Sequence, residues 1–172
     1  MDEQIRAGKI FIYPTDTIYG IGCDATNEEA VQKIRALKQR ETKPFSVIPP
    51  SAEWIVENCI RPADKGDTSW PPASGPFTYF VRTKNNRCVA PGIDEEKTGT
   101  LGLRMTNRSH WFMGEITRAG VPFVSTSVNI SGKPHMTSLT DLDPHLAEKI
   151  DIIIYEGPLV GKPSQKIDLT KG

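Results

Sequence analysis

The chain has 172 residues and no net charge, 21 Lys plus Arg balancing 21 Asp plus Glu. That length suits one domain with a sizeable core, residues 1–172, and not two; the charge balance argues against a surface given over to nucleic acid but leaves room for a local basic patch. Cys23, Cys59 and Cys88 show no zinc-ligand spacing with His110, His135 or His145, and the chain contains neither a signal-peptide pattern nor an apolar run near the roughly 20 residues of a membrane span, so reduced thiols in a cytoplasmic protein are expected.

Residues 9–13 are an apolar, β-branched run that predicts a strand halted at Pro14. Thr15, Asp16 and Thr17 follow, then Gly20 and Gly22, a polar and flexible exit from a buried strand. Thr26 or Asn27 can cap a helix whose positive end receives Glu28 and Glu29, and Val31, Ile34 and Leu37 give it an apolar stripe. A short strand at 45–48, a helix over 51–60 and a Pro- and Gly-rich loop over 61–76 come next. Strands are predicted at 77–81 and 101–105 around a charged loop at 85–98. A helix over 109–119 ends at Gly120 in the usual C-terminal position. Strands at 121–125, 151–155 and 166–169 and a short helix over 143–150 complete the chain. Helices interleaved with apolar strands predict an α/β or α+β fold, a mixed sheet with helices on at least one face and an open strand order.

Gly20-Ile-Gly22-Cys-Asp-Ala25 fits a loose dinucleotide fingerprint, but six residues separate it from the strand end where that motif belongs, and no P-loop string occurs. Lys38 and Arg40 either complement the negative end of their helix or form half of a phosphate clamp. A clamp needs a second cation, and Arg104, at the end of an apolar strand, is a candidate. Ser125-Thr-Ser-Val-Asn129-Ile-Ser131 places four hydroxyls and an amide after an apolar run; such residues build a local turn or bind a polar ligand, and they sit poorly as a continuing strand. Asp16 has no second carboxylate for an acid–base pair, and no nucleophilic triad can be assigned.

Six strings, PTDTIYGIGCDA, Lys38-x-Arg40, SGPFTYF, TLGLRM, STSVNISGKP and PSQKIDLT, resemble the successive signatures of the Sua5/YrdC/YciO family, in family order over about residues 8–170. The resemblance implies a twisted open α/β sheet with a basic concave face. It also implies an enzyme making L-threonylcarbamoyladenylate from L-threonine, bicarbonate and ATP with Mg2+, releasing pyrophosphate, for t6A37 modification of tRNA. Position by position, it assigns Thr17, Arg104, Ser127 and Ser164 to threonine and Lys38, Arg40, Lys43, Thr100, Asn129 and Thr137 to ATP. Lys38, Arg40, Ser127 and Asn129 are the residues expected at the reacting groups. PSQK resembles the short YrdC-type members, Lys43 stands where many members carry Asn, and Ile48 stands where many carry His. Partner proteins of a tRNA threonylcarbamoyl transferase complex and direct binding of tRNA or double-stranded RNA are further implications. Two alternatives accompany this reading: a YciO-like RNA-binding module without the activity, and a carbamoyl-adenylating relative with another substrate.

Overall fold

A computed structural model describes residues 1–63, 69–85 and 87–171; parts of the expected loops at 61–76 and 85–98 lie outside these residues. The elements are α1 (Asp2–Arg6), β1 (Phe11–Tyr13), β2 (Gly20–Gly22), α2 (Glu28–Lys38), β3 (Ser46–Ile48), α3 (Ala52–Asn58), β4 (Phe77–Arg82), β5 (Thr100–Met105), α4 (Trp111–Ala119), β6 (Phe123–Ser127), α5 (Pro144–Ala147), β7 (Ile152–Ile153) and β8 (Gln165–Asp168). Short 3-10 turns lie at Pro91–Ile93 and Leu139–Asp141. The strands form one mixed sheet in the order β7-β1-β2-β6-β3-β5-β4-β8.

Local chemistry accounts for most helix boundaries. The Asn27 side chain accepts from Ala30 N–H at 3.0 Å and starts α2, and Ser51 does the same for α3 through Trp54 N–H at 3.1 Å. Gly120, at φ +70°, takes the left-handed position after α4 that other residues adopt only with strain.

Two readings of the sequence are corrected. Gly20–Gly22, expected as flexible backbone, is a central strand pairing antiparallel with β1 and with β6. A glycine strand has almost no propensity signal, yet only Gly fits here, because a β-carbon on Gly22 would lie 2.0 Å from the Val124 carbonyl oxygen. Ser125–Ser127, expected to leave the sheet, continues β6, with Ser125 opposite Ser46 and Ser127 opposite Gly20.

Both faces are partly covered. α2, α3 and α5 supply Val31, Ile34, Leu37, Ile55 and Leu146 to the larger core, against Ile12, Ile21, Val47, Leu103 and Val124. On the other face α1 and α4 pack Ile5, Phe112, Met113 and Ile116 onto Phe11, Tyr13, Ile48 and Phe123. Four of those rings, Phe11, Tyr13, Phe112 and Phe123, have centroids 5.2–5.7 Å apart, the spacing at which tilted and edge-on pairs attract. Ile48, 1% exposed, belongs to this cluster.

The second face then changes character. Successive side chains of a strand alternate sides, so Ser125 and Ser127 share the side of Phe123, and Ser46 that of Ile48. Ser125 pairs with Ser46 and Ser46 with Gly102; two residues along β5, Arg104 pairs with Thr78, and Thr78 with Lys166. One half of a single sheet face is therefore an aromatic floor beneath α1 and α4, and the other half is hydroxyls and cations.

Candidate active site

The polar half-face is the floor of a cavity of about 360 Å³ lined by Thr15, Thr17, Tyr19, Arg40, Lys43, Ser46, Thr78, Arg104, Ser125, Ser127, Asn129, Lys133, His135, Ser164 and Lys166, among others. Five of its lining residues are Lys or Arg and none is Asp or Glu, so its field favours an anion. A β-carbon on Gly102 would come within 2.4 Å of Ser46 Oγ, which keeps the floor between β3 and β4 bare.

Residues 154–164 connect β7 and β8, which lie at opposite edges of the sheet, and they cross the cavity face. Tyr19 Oη donates to the Gly157 carbonyl at 2.7 Å and accepts from Glu156 N–H at 3.1 Å. Leu159 N–H donates to the Thr137 carbonyl at 2.8 Å, and the Ser164 and Thr78 hydroxyls pair at 2.6 Å. This crossing brings Ser164 to the wall.

Arg104 is 5% exposed. Its Nη1 donates to the Gly75 carbonyl at 3.1 Å and the Phe77 carbonyl at 3.5 Å. Its Nη2 donates to Thr17 Oγ1 at 3.0 Å and to Asp16 Oδ1. Asp16 Oδ2 accepts from Asn107 N–H at 3.0 Å, tying the β1–β2 loop to the end of β5. Both terminal nitrogens are thus engaged, so a carboxylate could be gripped bidentately only by displacing one of these acceptors.

Arg40 lies on the opposite wall. Nε donates to the Lys43 carbonyl at 2.9 Å, Nη2 to the Pro44 carbonyl and Nη1 to Thr126 Oγ1 at 3.3 Å, which engages three of its five N–H groups and leaves two for a ligand. Burial, and then the neighbouring Arg35 charge, lower its pKa to about 10, so it stays cationic at neutral pH.

The Ser127-x-Asn129 turn closes a third side. Ser127 Oγ donates to Asn129 Oδ1 at 2.7 Å, and Asn129 Nδ2 to the Lys133 carbonyl at 2.6 Å. Behind it, Lys38 Nζ donates to the Ser127 carbonyl at 2.5 Å, the Asn129 carbonyl at 3.0 Å and Asn129 Oδ1 at 2.8 Å. Lys38 is 1% exposed, and burial, with a smaller effect from Arg40, pushes its pKa down to about 7.

Seven of the ten residues singled out from the sequence share this cavity: Thr17, Arg40, Lys43, Arg104, Ser127, Asn129 and Ser164. Three do not line it: Lys38, Thr100 and Thr137. Lys38 stands behind the wall, with its ammonium donating to the Ser127 and Asn129 carbonyls and to Asn129 Oδ1. Thr100 lies four residues from Arg104 along β5, roughly 13 Å at a strand's rise, and lines a separate cavity of about 230 Å³ with Cys88 and Asp94. The Thr137 hydroxyl donates to Asp141 Oδ2, closing the turn at 138–141. Sequence reading missed Ser46, Thr78, Lys133 and Lys166 on the wall; the strand register that aligns Lys166, Thr78 and Arg104 is the signal that finds them. Among the described residues no group of three or more His, Cys, Asp or Glu is placed to hold a metal ion, and no helix is long and apolar enough to cross a membrane.

The model of a family described as "Telomere recombination", Sua5/YciO/YrdC, matches residues 3–172. The chain belongs to the Sua5/YciO/YrdC family. It is 30% identical over 179 residues to a threonylcarbamoyl-AMP synthase of Xanthomonas euvesicatoria, covering 98% of this chain and 90% of that relative. Among solved structures it resembles P. abyssi Sua5 complexed with L-threonine, at 30% identity and a TM-score of 0.77. The match covers 97% of this chain and 49% of that one, so this member spans about half the length of P. abyssi Sua5. E. coli YciO shares the fold at a TM-score of 0.77 and 23% identity, covering 99% of this chain and 82% of that one. As expected from the sequence, the fold is the family's open mixed sheet with helices.

Proposed function

We infer that this chain makes L-threonylcarbamoyladenylate from L-threonine, bicarbonate and ATP. The observation that carries the inference is a single cavity joining five cations, of which Arg104 is paired with Asp16, to a Ser-x-Asn turn, in a chain 30% identical to a threonylcarbamoyl-AMP synthase over nearly its whole length.

In this reading threonine lies at the Arg104 end, its carboxylate near the guanidinium and the Thr17 hydroxyl, with Thr78 and Ser164 beside it. Its amine combines with carbon dioxide from bicarbonate to give a carbamate, and a carbamate oxygen attacks the α-phosphorus of ATP as pyrophosphate departs. Such a reaction needs no covalent nucleophile; it needs two anions held in line and their charge offset. Arg40 and Lys43 supply that charge at the triphosphate. Ser127 and Asn129, fixed from behind by Lys38, orient the groups at the junction. Magnesium enters as MgATP, consistent with that ion's habit of binding through phosphates and water.

The product would serve t6A modification of tRNA in the cytoplasm, with downstream transferase proteins as partners, and Lys133 and Lys166 on the rim offer cations to RNA. Pyrophosphate release, with ATP, threonine and bicarbonate omitted in turn, tests the inference. Release that needs all three supports it; release independent of threonine, or tRNA binding without release, contradicts it.

A further inference from the structure

The segment carrying Arg40 and Lys43 has no regular structure, yet it presents two of the cavity's five cations. A phosphate-binding loop held only by its own backbone would surrender much of its binding energy to ordering. Besides Arg40's own bonds to the Lys43 and Pro44 carbonyls, a third cation, Arg35, which does not line the cavity, bonds this loop from behind. Arg35 is 4% exposed. Its Nη1 donates to the carbonyls of Lys43 at 3.1 Å, Arg40 at 3.3 Å and Glu41 at 3.4 Å. Nε donates to the Gly92 carbonyl at 2.7 Å and Nη2 to that of Ile93 at 3.4 Å. One planar fork thus ties the loop over 40–43 to the turn at 91–93, and Gly92 N–H is in turn held by Glu28 Oε2 at 2.8 Å.

The same fork also acts through an aromatic ring. The Arg35 guanidinium carbon lies 4.4 Å from the Phe45 centroid and that of Arg40 lies 4.9 Å from it. Phe45 is buried, and its N–H donates to the Ile93 carbonyl at 3.1 Å. The ring therefore touches both guanidinium groups, one wholly internal and one on the cavity wall. A lysine could not reproduce this, since an ammonium has neither the planar fork nor the flat surface to stack.

We propose that Arg35 is a positioning residue for nucleotide, folding the 40–43 loop around its guanidinium so that Arg40 and Lys43 are set for a triphosphate before ATP arrives. This rests on the proposed adenylating function for its substrate, but not for its test, which reads ATP binding directly. It assigns no contact between Arg35 and ATP.

The experiment compares wild type, Arg35→Met, Arg35→Lys and Arg35→Ala by calorimetric titration of MgATP and by KM for ATP and for threonine in pyrophosphate release. Loss of preorganisation should weaken ATP on the order of 10- to 100-fold in Arg35→Met, as small misplacements of binding groups do, and leave KM for threonine within about twofold. Arg35→Lys should fall between, and millimolar guanidinium should restore part of the ATP affinity of Arg35→Ala. A residue that only stabilised the fold would lower kcat through the folded fraction and leave both KM values unchanged; that result overturns the proposal, as does equal weakening of ATP and threonine. Should Arg35→Met fail to fold, Arg35→Lys with ATP affinity equal to wild type overturns it. If wild type releases no pyrophosphate but binds MgATP, the proposed function fails while the titrations still decide the role of Arg35; wild type that binds no MgATP sinks both.

Discussion

Lys38, expected from the sequence at the reacting groups, is 1% exposed behind the cavity wall, and replacing it with methionine tests how its charge is held there. The buried ammonium has a pKa of about 7 against an ordinary 10.5. A group whose native pKa is depressed in this way imposes its full cost at pH values below 7, and the cost is relieved as pH rises from 7 toward 10.5, because there the unfolded chain binds the extra proton. From pH 7 to 8 the unfolded chain keeps essentially one proton on Lys38, while the folded chain goes from about half to about a tenth of one. Integration gives a rise in stability of about 1 kcal/mol. With a urea slope of about 2 kcal/mol/M, the midpoint should move up by roughly 0.5 M. Urea unfolding at pH 7 and 8 measures this, and the wild-type increment should exceed that of Lys38→Met by this amount, whatever the substitution does to absolute stability. Equal increments in the two proteins would show that Lys38 keeps its proton across this range in the folded state as in the unfolded one, so that burial does not depress its pKa.

Gly161→Ala should raise KM for threonine about tenfold with KM for ATP unchanged, because its β-carbon would lie 2.1 Å from the Thr17 carbonyl oxygen and push that loop from Arg104; steady-state kinetics checks it. Arg104→Lys replaces a fork serving Asp16, Thr17, Gly75 and Phe77 by one ammonium, and should cost about 2 kcal/mol in kcat/KM for threonine, roughly 30-fold. Gly22→Ala should prevent folding, seen as loss of near-ultraviolet circular dichroism, since its neighbour at 2.0 Å is a backbone oxygen of the central strand pair.

Much of the architecture is legible in the chain because its strands and helices have clean periodicity: the apolar stripe of α2, the Asn27 and Ser51 caps and the Gly120 stop all act locally. β2 was not legible, since Gly20 and Gly22 are selected by the lack of space beside Tyr13 and Val124, a tertiary fact. The site was legible as motifs and only partly as geometry. Arg40, Lys43 and the Ser127–Asn129 turn meet as their strings imply, but the pairing of Lys166 with Thr78 and Thr78 with Arg104 depends on strand order, which periodicity does not encode. Thr100 and Arg104 belong to one string and one face, yet strand rise separates them. Arg35 and Lys38 have the same charge and neighbouring places on one helix, and only their burial shows that both lie behind the wall.

In the proposed function one cavity has an amino-acid end at Arg104 and a nucleotide end at Arg40. Titration of L-threonine and of MgATP into Arg40→Ala addresses it most directly. MgATP affinity should fall by at least tenfold while threonine affinity stays within about twofold of wild type; undiminished MgATP binding, or loss of threonine with MgATP retained, would contradict the account.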